Sequence, residues 1–139
     1  MVGRVFKAVS CYGYERGALH DYPVLRVKLL NLMGEEFPEE LRLPVDTGFE
    51  GSIMLDREAY EFFAVGELPR EMWRVYRTLV GRVPMRTARA IAVVGGRKLE
   101  VFVETPAYGV GKRLVGRELL NELVLVLDGP RRQACLAEA

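Results

Sequence analysis

The sequence predicts an all-β fold, arranged as a closed or partly open barrel with one or two short helices. Three observations indicate it: the chain has many short apolar segments, glycine- or proline-containing turns separate most of them, and no strand–helix–strand repeat links them. The chain has 139 residues, of which 50% are hydrophobic. That length and composition predict one domain over residues 1–139 with a sizeable core.

The first half of the chain is predicted to consist mainly of strands. Residues 2–9 have a mixed pattern that is compatible with a strand, and residues 23–30 alternate apolar and basic side chains over much of their length, as a half-buried strand does. Residues 41–45 and 52–55 are shorter apolar segments, and they predict a third and a fourth strand on either side of a tight turn.

A short helix is predicted after the fourth strand. Asp56 is suited to the N-cap position, because its carboxylate can accept a hydrogen bond from a backbone N–H of the first turn. The helix is expected to cover residues 57–63 and to end before Gly66. Its three aromatic side chains are expected to lie in the core.

The second half of the chain is predicted to contain further strands and one short helix. Gly95 and Gly96 lie between two alternating segments, which is a strong hairpin signal. Residues 114–123 predict a short helix or a strand-to-helix step, and Asp128-Gly129-Pro130 predicts a turn. The strands predicted in this half cover residues 74–79, 83–94, 99–104, 123–127 and 131–136.

The sequence lacks residues that several common kinds of site need. His20 is the only histidine, so Ser-His-Asp or Cys-His catalysis would depend on a single loop residue. There is no phosphate-binding loop, no dinucleotide fingerprint and no His/Cys cluster, so neither a metal nor an organic cofactor is expected. The net charge of +1 gives no reason to expect nucleic acid as a partner.

The two cysteines, Cys11 and Cys135, are too few for a zinc site or for a disulfide scaffold. They could meet if the two terminal strands are neighbours. We nevertheless expect two separate buried thiols.

Nothing in the sequence predicts a membrane partner. The longest apolar runs fall well short of a membrane span, and charges interrupt the apolar residues at the N-terminus, which therefore lacks a signal-peptide core. We expect a cytoplasmic protein.

The residue type and position of Asp46 make it a candidate catalytic residue. It follows the third predicted strand in residues 45–51, Val-Asp-Thr-Gly-Phe-Glu-Gly, where Gly48 permits a tight bend and the Thr47 hydroxyl can bond nearby backbone. Such a turn is also an ordinary way to end a strand. If two copies met at a two-fold axis, their carboxylates would share a proton and could activate a water between them. The motif occurs once, so that chemistry would require a homodimer.

A second motif follows at residues 114–120, Leu-Val-Gly-Arg-Glu-Leu-Leu. The ordered pair of motifs resembles the retropepsin-like aspartic peptidases of clan AA, in which an apolar pair and Gly-Arg-Asp/Asn-Leu-Leu open the C-terminal helix. Glu118 departs from that pattern. The Phe at position 49 and the Leu-Asp-Gly-Pro at residues 127–130 resemble the small prokaryotic, largely archaeal branch of the clan.

The resemblance implies a role for each matching residue. Asp46 matches the catalytic aspartate, Thr47 a residue that bonds across the dimer, and Gly48 a glycine that lines the substrate cleft. Arg117 matches the helix arginine that pairs with an acidic residue just after the turn. Glu50 occupies that place, so a Glu50–Arg117 ion pair is expected.

The resemblance also implies a β-hairpin flap over the cleft, and residues 76–90 are the candidate, with Val80, Gly81 and Arg82 near the tip. This tip has fewer glycines than the viral flaps. Phe49 replaces a small residue of the viral members, and it could either fill part of the cleft or pack beneath the turn as core.

The resemblance therefore implies an aspartic endopeptidase that works as a homodimer on an extended peptide, without metal or cofactor. Two alternatives remain. The same fold could serve as a catalytically inactive binding or assembly domain, which Phe49 and the glycine-poor flap favour. A small-molecule-binding barrel is the third hypothesis, and it predicts a pocket inside the barrel.

Overall fold

The computed structural model describes residues 5–138, so residues 2–4 of the first predicted strand lie outside the described part. The chain forms strands through most of its length, with two short helices. The helices are α1 (Arg57–Glu61) and α2 (Arg117–Leu120). The strands are β1 (Lys7–Gly13), β2 (Val24–Leu30), β3 (Leu41–Pro44), β4 (Ile53–Met54), β5 (Arg74–Thr78), β6 (Gly81–Val94), β7 (Arg97–Pro106), β8 (Leu114–Val115), β9 (Val124–Asp128) and β10 (Gln133–Glu138).

The strands of residues 5–138 form two sheets. The smaller has the order β1-β10-β9, and the larger has the order β3-β2-β6-β7-β4-β8, with β5 paired to β6 beside that path. The larger sheet does not close into a continuous barrel. A single bridge between Val45 and Val115 joins its two ends, at the C-terminal end of β3. The partly open form of the predicted all-β fold is therefore the one observed.

The longest hairpin, β6–β7, forms where the two glycines predicted it. Gly95 and Gly96 have φ values of +55° and +80°, so both lie in the left-handed region that a tight two-residue hairpin turn requires. The pairing is antiparallel and runs from Val94 opposite Arg97 to Met85 opposite Pro106. This ladder forms the middle of the larger sheet.

One face of the β6–β7 hairpin covers the core. Alternate residues of β6 point inward, and Ala88, Ala90 and Ala92 are each at most 1% exposed. Their small side chains leave room for the large aromatic residues Tyr60 and Phe63 near α1, which are both 0% exposed. The prediction that the aromatic residues of this helix lie in the core is confirmed for Tyr60 and Phe63, whereas Phe62 is half-buried and packs against the core.

Helix α1 begins where predicted and ends earlier. The Asp56 Oδ2 atom accepts a hydrogen bond from Ala59 N at 3.2 Å, which is the N-cap contact. The helix ends at Glu61 instead of at residue 63, and a 3-10 turn at Ala64–Gly66 follows. A 3-10 turn is a common way for a short helix to end.

We expect the substitution Asp56→Ala to lower the free energy of unfolding by about 1 kcal/mol at neutral pH, because it removes the N-cap. Asp56 also accepts a hydrogen bond from Arg113 Nε at 2.8 Å, and this bond holds the pKa of Asp56 below its ordinary value. A lowered pKa in the folded state stabilises the fold above the ordinary pKa. The difference between wild type and variant should therefore be fully present above the ordinary pKa and should shrink as the pH falls below about 4. Urea denaturation at several pH values measures it, and a difference that grows on acidification would contradict the assignment.

The expectation of two separate thiols is wrong, because Cys11 and Cys135 form a disulfide. The two residues lie directly opposite each other in the antiparallel pair β1–β10. The terminal strands are therefore neighbours, which was the condition under which the sequence allowed the cysteines to meet. The bond links positions that are 124 residues apart in the chain.

Two further observations concern the described residues alone. No helix within residues 5–138 has both the length and the hydropathy to cross a membrane. In the same range, His, Cys, Asp and Glu side chains do not come together in a group of three or more that could hold a metal ion.

Candidate active site

Asp46 lies where the two ends of the larger sheet approach each other. The Val45 backbone N–H donates to Pro23 O at 3.0 Å, and the Asp46 N–H donates to Val115 O at 2.9 Å. The first bond ties the end of β3 to the residue before β2, and the second ties it to β8. The start of the turn is thus held from both sides by main-chain hydrogen bonds.

The turn orients the Asp46 carboxyl group. Gly48 N donates to Asp46 Oδ1 at 2.9 Å, and Phe49 N donates to Asp46 O at 3.2 Å. A side-chain oxygen that accepts from the backbone two residues later stabilises a turn of this kind. Asp46 is half-buried, and both Thr47 and Gly48 are exposed. The carboxyl group is therefore held by its own turn, next to two residues that are exposed to solvent.

Helix α2 begins on this turn. Its first N–H groups have no partners within the helix, and carbonyl groups of the turn segment supply them. Arg117 N donates to Phe49 O at 2.8 Å, and Glu118 N donates to Gly51 O at 3.2 Å. A Cβ atom at Gly116 would lie 2.5 Å from Phe49 O, so only glycine fits there. The two sequence motifs are consequently one structural unit.

The expected ion pair between Glu50 and Arg117 is present. Arg117 Nη2 lies 3.3 Å from Glu50 Oε1, and the two side chains are 48% and 69% exposed. Solvent screens a pair of this kind, so it contributes at most about 1 kcal/mol. The main-chain hydrogen bonds between the turn and α2 hold the unit together more firmly than this pair does.

Phe49 packs beneath the turn. Its side chain is 9% exposed, and its ring lies 5.3 Å from the ring of Tyr76. Of the two places that the sequence allowed for this ring, the structure shows the one in the core. The Phe49 ring therefore does not fill part of a cleft beside the turn.

The predicted hairpin over residues 76–90 is present as β5–β6, and its tip is apolar. Leu79 and Val80 form the turn and are 107% and 92% exposed. The Thr78 hydroxyl accepts from Val80 N at 3.2 Å and donates to Gly81 O at 3.0 Å, which closes the turn. Gly81 starts β6 with a φ of +114°, and Arg82 beside it is exposed. The role of this hairpin as a flap stays a prediction.

A buried carboxylate that the sequence did not reveal lies behind the turn. The Glu104 side chain is 0% exposed and accepts hydrogen bonds from Tyr76 Oη at 2.6 Å and from Thr87 Oγ1 at 2.9 Å. Arg74 Nη2 lies 3.2 Å from its Oε1 atom. Burial raises the pKa of Glu104, while these donors and the Arg74 charge oppose the increase. The alternation in β7 puts Glu104 on the same face as the exposed Glu100, so the pattern of the strand does not indicate that Glu104 is buried.

Arg74 joins that carboxylate to helix α2. Its guanidinium makes two hydrogen bonds of 2.8 Å to the Glu118 carboxylate, and this contact holds the pKa of Glu118 below its ordinary value. Glu118 Oε1 also accepts from Ser52 Oγ at 2.6 Å. The glutamate that departs from the Gly-Arg-Asp/Asn-Leu-Leu pattern thus has an arginine partner. No sequence signal linked Arg74 to Glu118, because they are 44 positions apart.

The structure resembles solved proteases of the retropepsin type. A retropepsin-like aspartic protease from Rickettsia conorii matches over 100% of both chains, with 16% sequence identity and a TM-score of 0.53. An inhibitor complex of EIAV protease matches over 78% of this chain and 93% of that chain, with 18% identity and a TM-score of 0.49.

Comparisons by sequence give no match, either with models of known protein families or with curated proteins. The structural likeness to the Rickettsia protease extends over the whole of both chains, and it agrees with the order of the two motifs around Asp46 and Arg117. At this level of identity the likeness concerns the fold. This chain therefore has the retropepsin-like fold.

Proposed function

We propose that this protein is an aspartic endopeptidase that acts as a homodimer. Each subunit contributes one Asp46, and the two carboxyl groups meet at the two-fold axis. Peptide-bond hydrolysis is the reaction, and neither a metal nor an organic cofactor takes part.

One observation carries the proposal. In a retropepsin-like fold, the single Asp-Thr-Gly turn holds its carboxyl group by the Gly48 N–H at 2.9 Å and leaves Thr47 and Gly48 exposed. A turn enclosed within one subunit could not meet a second copy. The exposure of this turn supports an approach between two subunits, which are then related by a two-fold axis.

The chemistry follows from two carboxyl groups in close proximity. They share one proton, because two negative charges in contact are unfavourable. The ionised Asp46 takes a proton from water as the water oxygen attacks the scissile carbonyl carbon, and the protonated Asp46 gives its proton to the carbonyl oxygen. The tetrahedral diol then collapses. The protonated Asp46 gives its proton to the nitrogen as the C–N bond breaks, and one hydroxyl of the diol gives its proton to the ionised Asp46 as the carbonyl forms. The two carboxyl groups then again hold one proton between them.

An extended peptide suits the surroundings of the turn. Gly48 is exposed and carries no side chain, so a substrate backbone can approach closely. The exposed apolar residues Leu79 and Val80 at the hairpin tip would cover the peptide from the other side. Strand-like hydrogen bonds from main chain to main chain would then supply much of the binding.

The alternative is an inactive binding or assembly domain with the same fold. Its support from Phe49 is weakened, because that ring packs beneath the turn against Tyr76. The glycine-poor hairpin tip remains its main support. The two hypotheses differ in whether the Asp46 carboxylate is required for peptide cleavage.

The test is cleavage of a mixed peptide library, followed by mass spectrometry. Wild type and Asp46→Asn are compared at the same protein concentration over a range of pH. Cleavage by wild type that the variant lacks would support the peptidase. Equal cleavage by both would show that another agent cuts the peptides, and no cleavage by either would favour the binding domain.

A further inference from the structure

The donors to the buried Glu104 carboxylate come from the base of the β5–β6 hairpin. Tyr76 and Arg74 lie on β5, and Thr87 lies on β6. A carboxylate with 0% exposure is strongly unfavourable without such partners. The place of Glu104 on β7 therefore dictates where the base of the hairpin lies.

The same side chains contact the segment that follows Asp46. The Tyr76 ring packs on Phe49 at 5.3 Å between centroids. A Cβ atom at Gly51 would lie 2.6 Å from Phe49 Cζ and 2.7 Å from both Tyr76 Oη and Glu104 Oε1. The Tyr76–Glu104 hydrogen bond is therefore packed closely against the backbone at Gly51, in the segment that follows the Asp46 turn. A shift of that hydrogen bond towards Gly51 would press on this segment.

Strand β5 depends on these side chains for its position. In the described sheet it pairs only with β6 and lies beside the main strand path. Its remaining ties to the protein include the Tyr76–Glu104 hydrogen bond and the two Arg74–Glu118 hydrogen bonds. Apolar side chains in the same places could give similar stability, so stability alone does not require a buried ionic cluster. Directional hydrogen bonds fix one position of the strand instead.

We propose that Tyr76 and Glu104 are positioning residues: their hydrogen bond fixes the base of the hairpin against the Asp46 turn. The inference rests on the proposed function, because the position matters for aligning Asp46 with a peptide. Neither residue is required to touch the substrate.

The chain contains a matched control in a different place. Tyr60 is 0% exposed and donates to Glu67 Oε2 at 2.7 Å, and Glu67 is paired with Arg86 at 2.8 Å. This second tyrosine–glutamate–arginine group joins α1 to β6. Tyr60→Phe and Tyr76→Phe therefore each remove one hydroxyl group from a partly buried hydrogen bond to a glutamate.

The test compares steady-state kinetics of wild type, Tyr76→Phe and Tyr60→Phe on a peptide that the wild type cleaves. We expect Tyr76→Phe to lower kcat about ten- to hundredfold, because misplacement of reacting groups by about 1 Å has effects of that size. KM should change by less than about twofold, since no substrate contact is removed. Tyr60→Phe should leave both constants within about twofold of wild type.

Hydrogen exchange supplies a readout that does not depend on activity. In Tyr76→Phe, exchange should become faster at the amides of Gly48, Phe49 and Arg117, which are bonded to or within the Asp46 turn. Tyr60→Phe should leave these three amides unchanged. Glu104→Gln, which keeps the side-chain shape, is the second variant, and it should accelerate exchange at the same amides.

The outcomes separate this inference from the proposed function. If wild type cleaves no peptide, the proposed function fails and the exchange comparison alone decides the inference. Unchanged exchange at the turn in Tyr76→Phe and in Glu104→Gln would overturn it. Equal losses of kcat in Tyr76→Phe and Tyr60→Phe would also overturn it, because the effect would then be one of general stability.

Discussion

Wild-type protein mixed with a ninefold excess of Asp46→Asn chains should lose far more activity than dilution explains. If subunits exchange freely, only pairs of two wild-type chains are active, and these are about one-hundredth of all dimers. A monomeric enzyme would keep about one-tenth of its activity per total chain. A mixed dimer has one carboxyl group and one amide, which cannot share a proton as two carboxyl groups do. We therefore expect activity to fall with the square of the wild-type fraction.

The experiment needs a series of mixing ratios at constant total protein, after time for subunit exchange. Asp128→Asn is the matched control, because Asp128 also lies at the end of a strand and accepts a turn hydrogen bond, from Arg131 N at 3.1 Å. Mixtures with this control should keep full activity at every ratio. A linear fall with Asp46→Asn would show that each subunit works alone, and it would remove the two-carboxylate mechanism. Pure Asp46→Asn should be less active than wild type by about three orders of magnitude or more.

The elements predicted from the sequence are those with local signals. Gly95 and Gly96 form the predicted hairpin because only their left-handed φ values fit the turn. Asp56 starts α1 because its carboxylate reaches the backbone of the first helical turn. The Glu50–Arg117 pair came from the ordered motifs, and the spacing between them alone would not have predicted the contact.

The features that the sequence did not reveal depend on long-range packing. The Cys11–Cys135 bond depends on the register of two strands at opposite ends of the chain. Glu104 lies on the same face of an alternating strand as the exposed Glu100, and the covering by β5 and by the segment at Gly51 buries that end of the face. Phe49 could have pointed either way, and the glycines at positions 51 and 116 decide its place by leaving room for the ring.

Reduction of the Cys11–Cys135 disulfide should lower the free energy of unfolding by about 4–5 kcal/mol. The bond closes a loop of 124 residues, and in the chain-entropy model a loop of that length restricts the unfolded state by about this amount. Domains of this size are stable by only about 5–15 kcal/mol, so the loss would be a large fraction of the total. Guanidinium denaturation with and without a reductant measures the change.

The double variant Cys11→Ser/Cys135→Ser separates the bond from other effects of the reductant. Its denaturation midpoint should match that of the reduced wild type and should not respond to reductant.

Strand β1 hydrogen-bonds to β10 alone among the strands of the described sheets, so hydrogen exchange should increase first along Lys7–Gly13 when the bond is absent. Among the described residues, the main-chain hydrogen bonds that hold the Asp46 turn come from Pro23, from Val115 and from the turn itself, and none of them is made by β1, β9 or β10. Peptide cleavage by the reduced protein should therefore persist under conditions where it stays folded, and a loss of activity before unfolding would show that the terminal sheet and the turn are coupled.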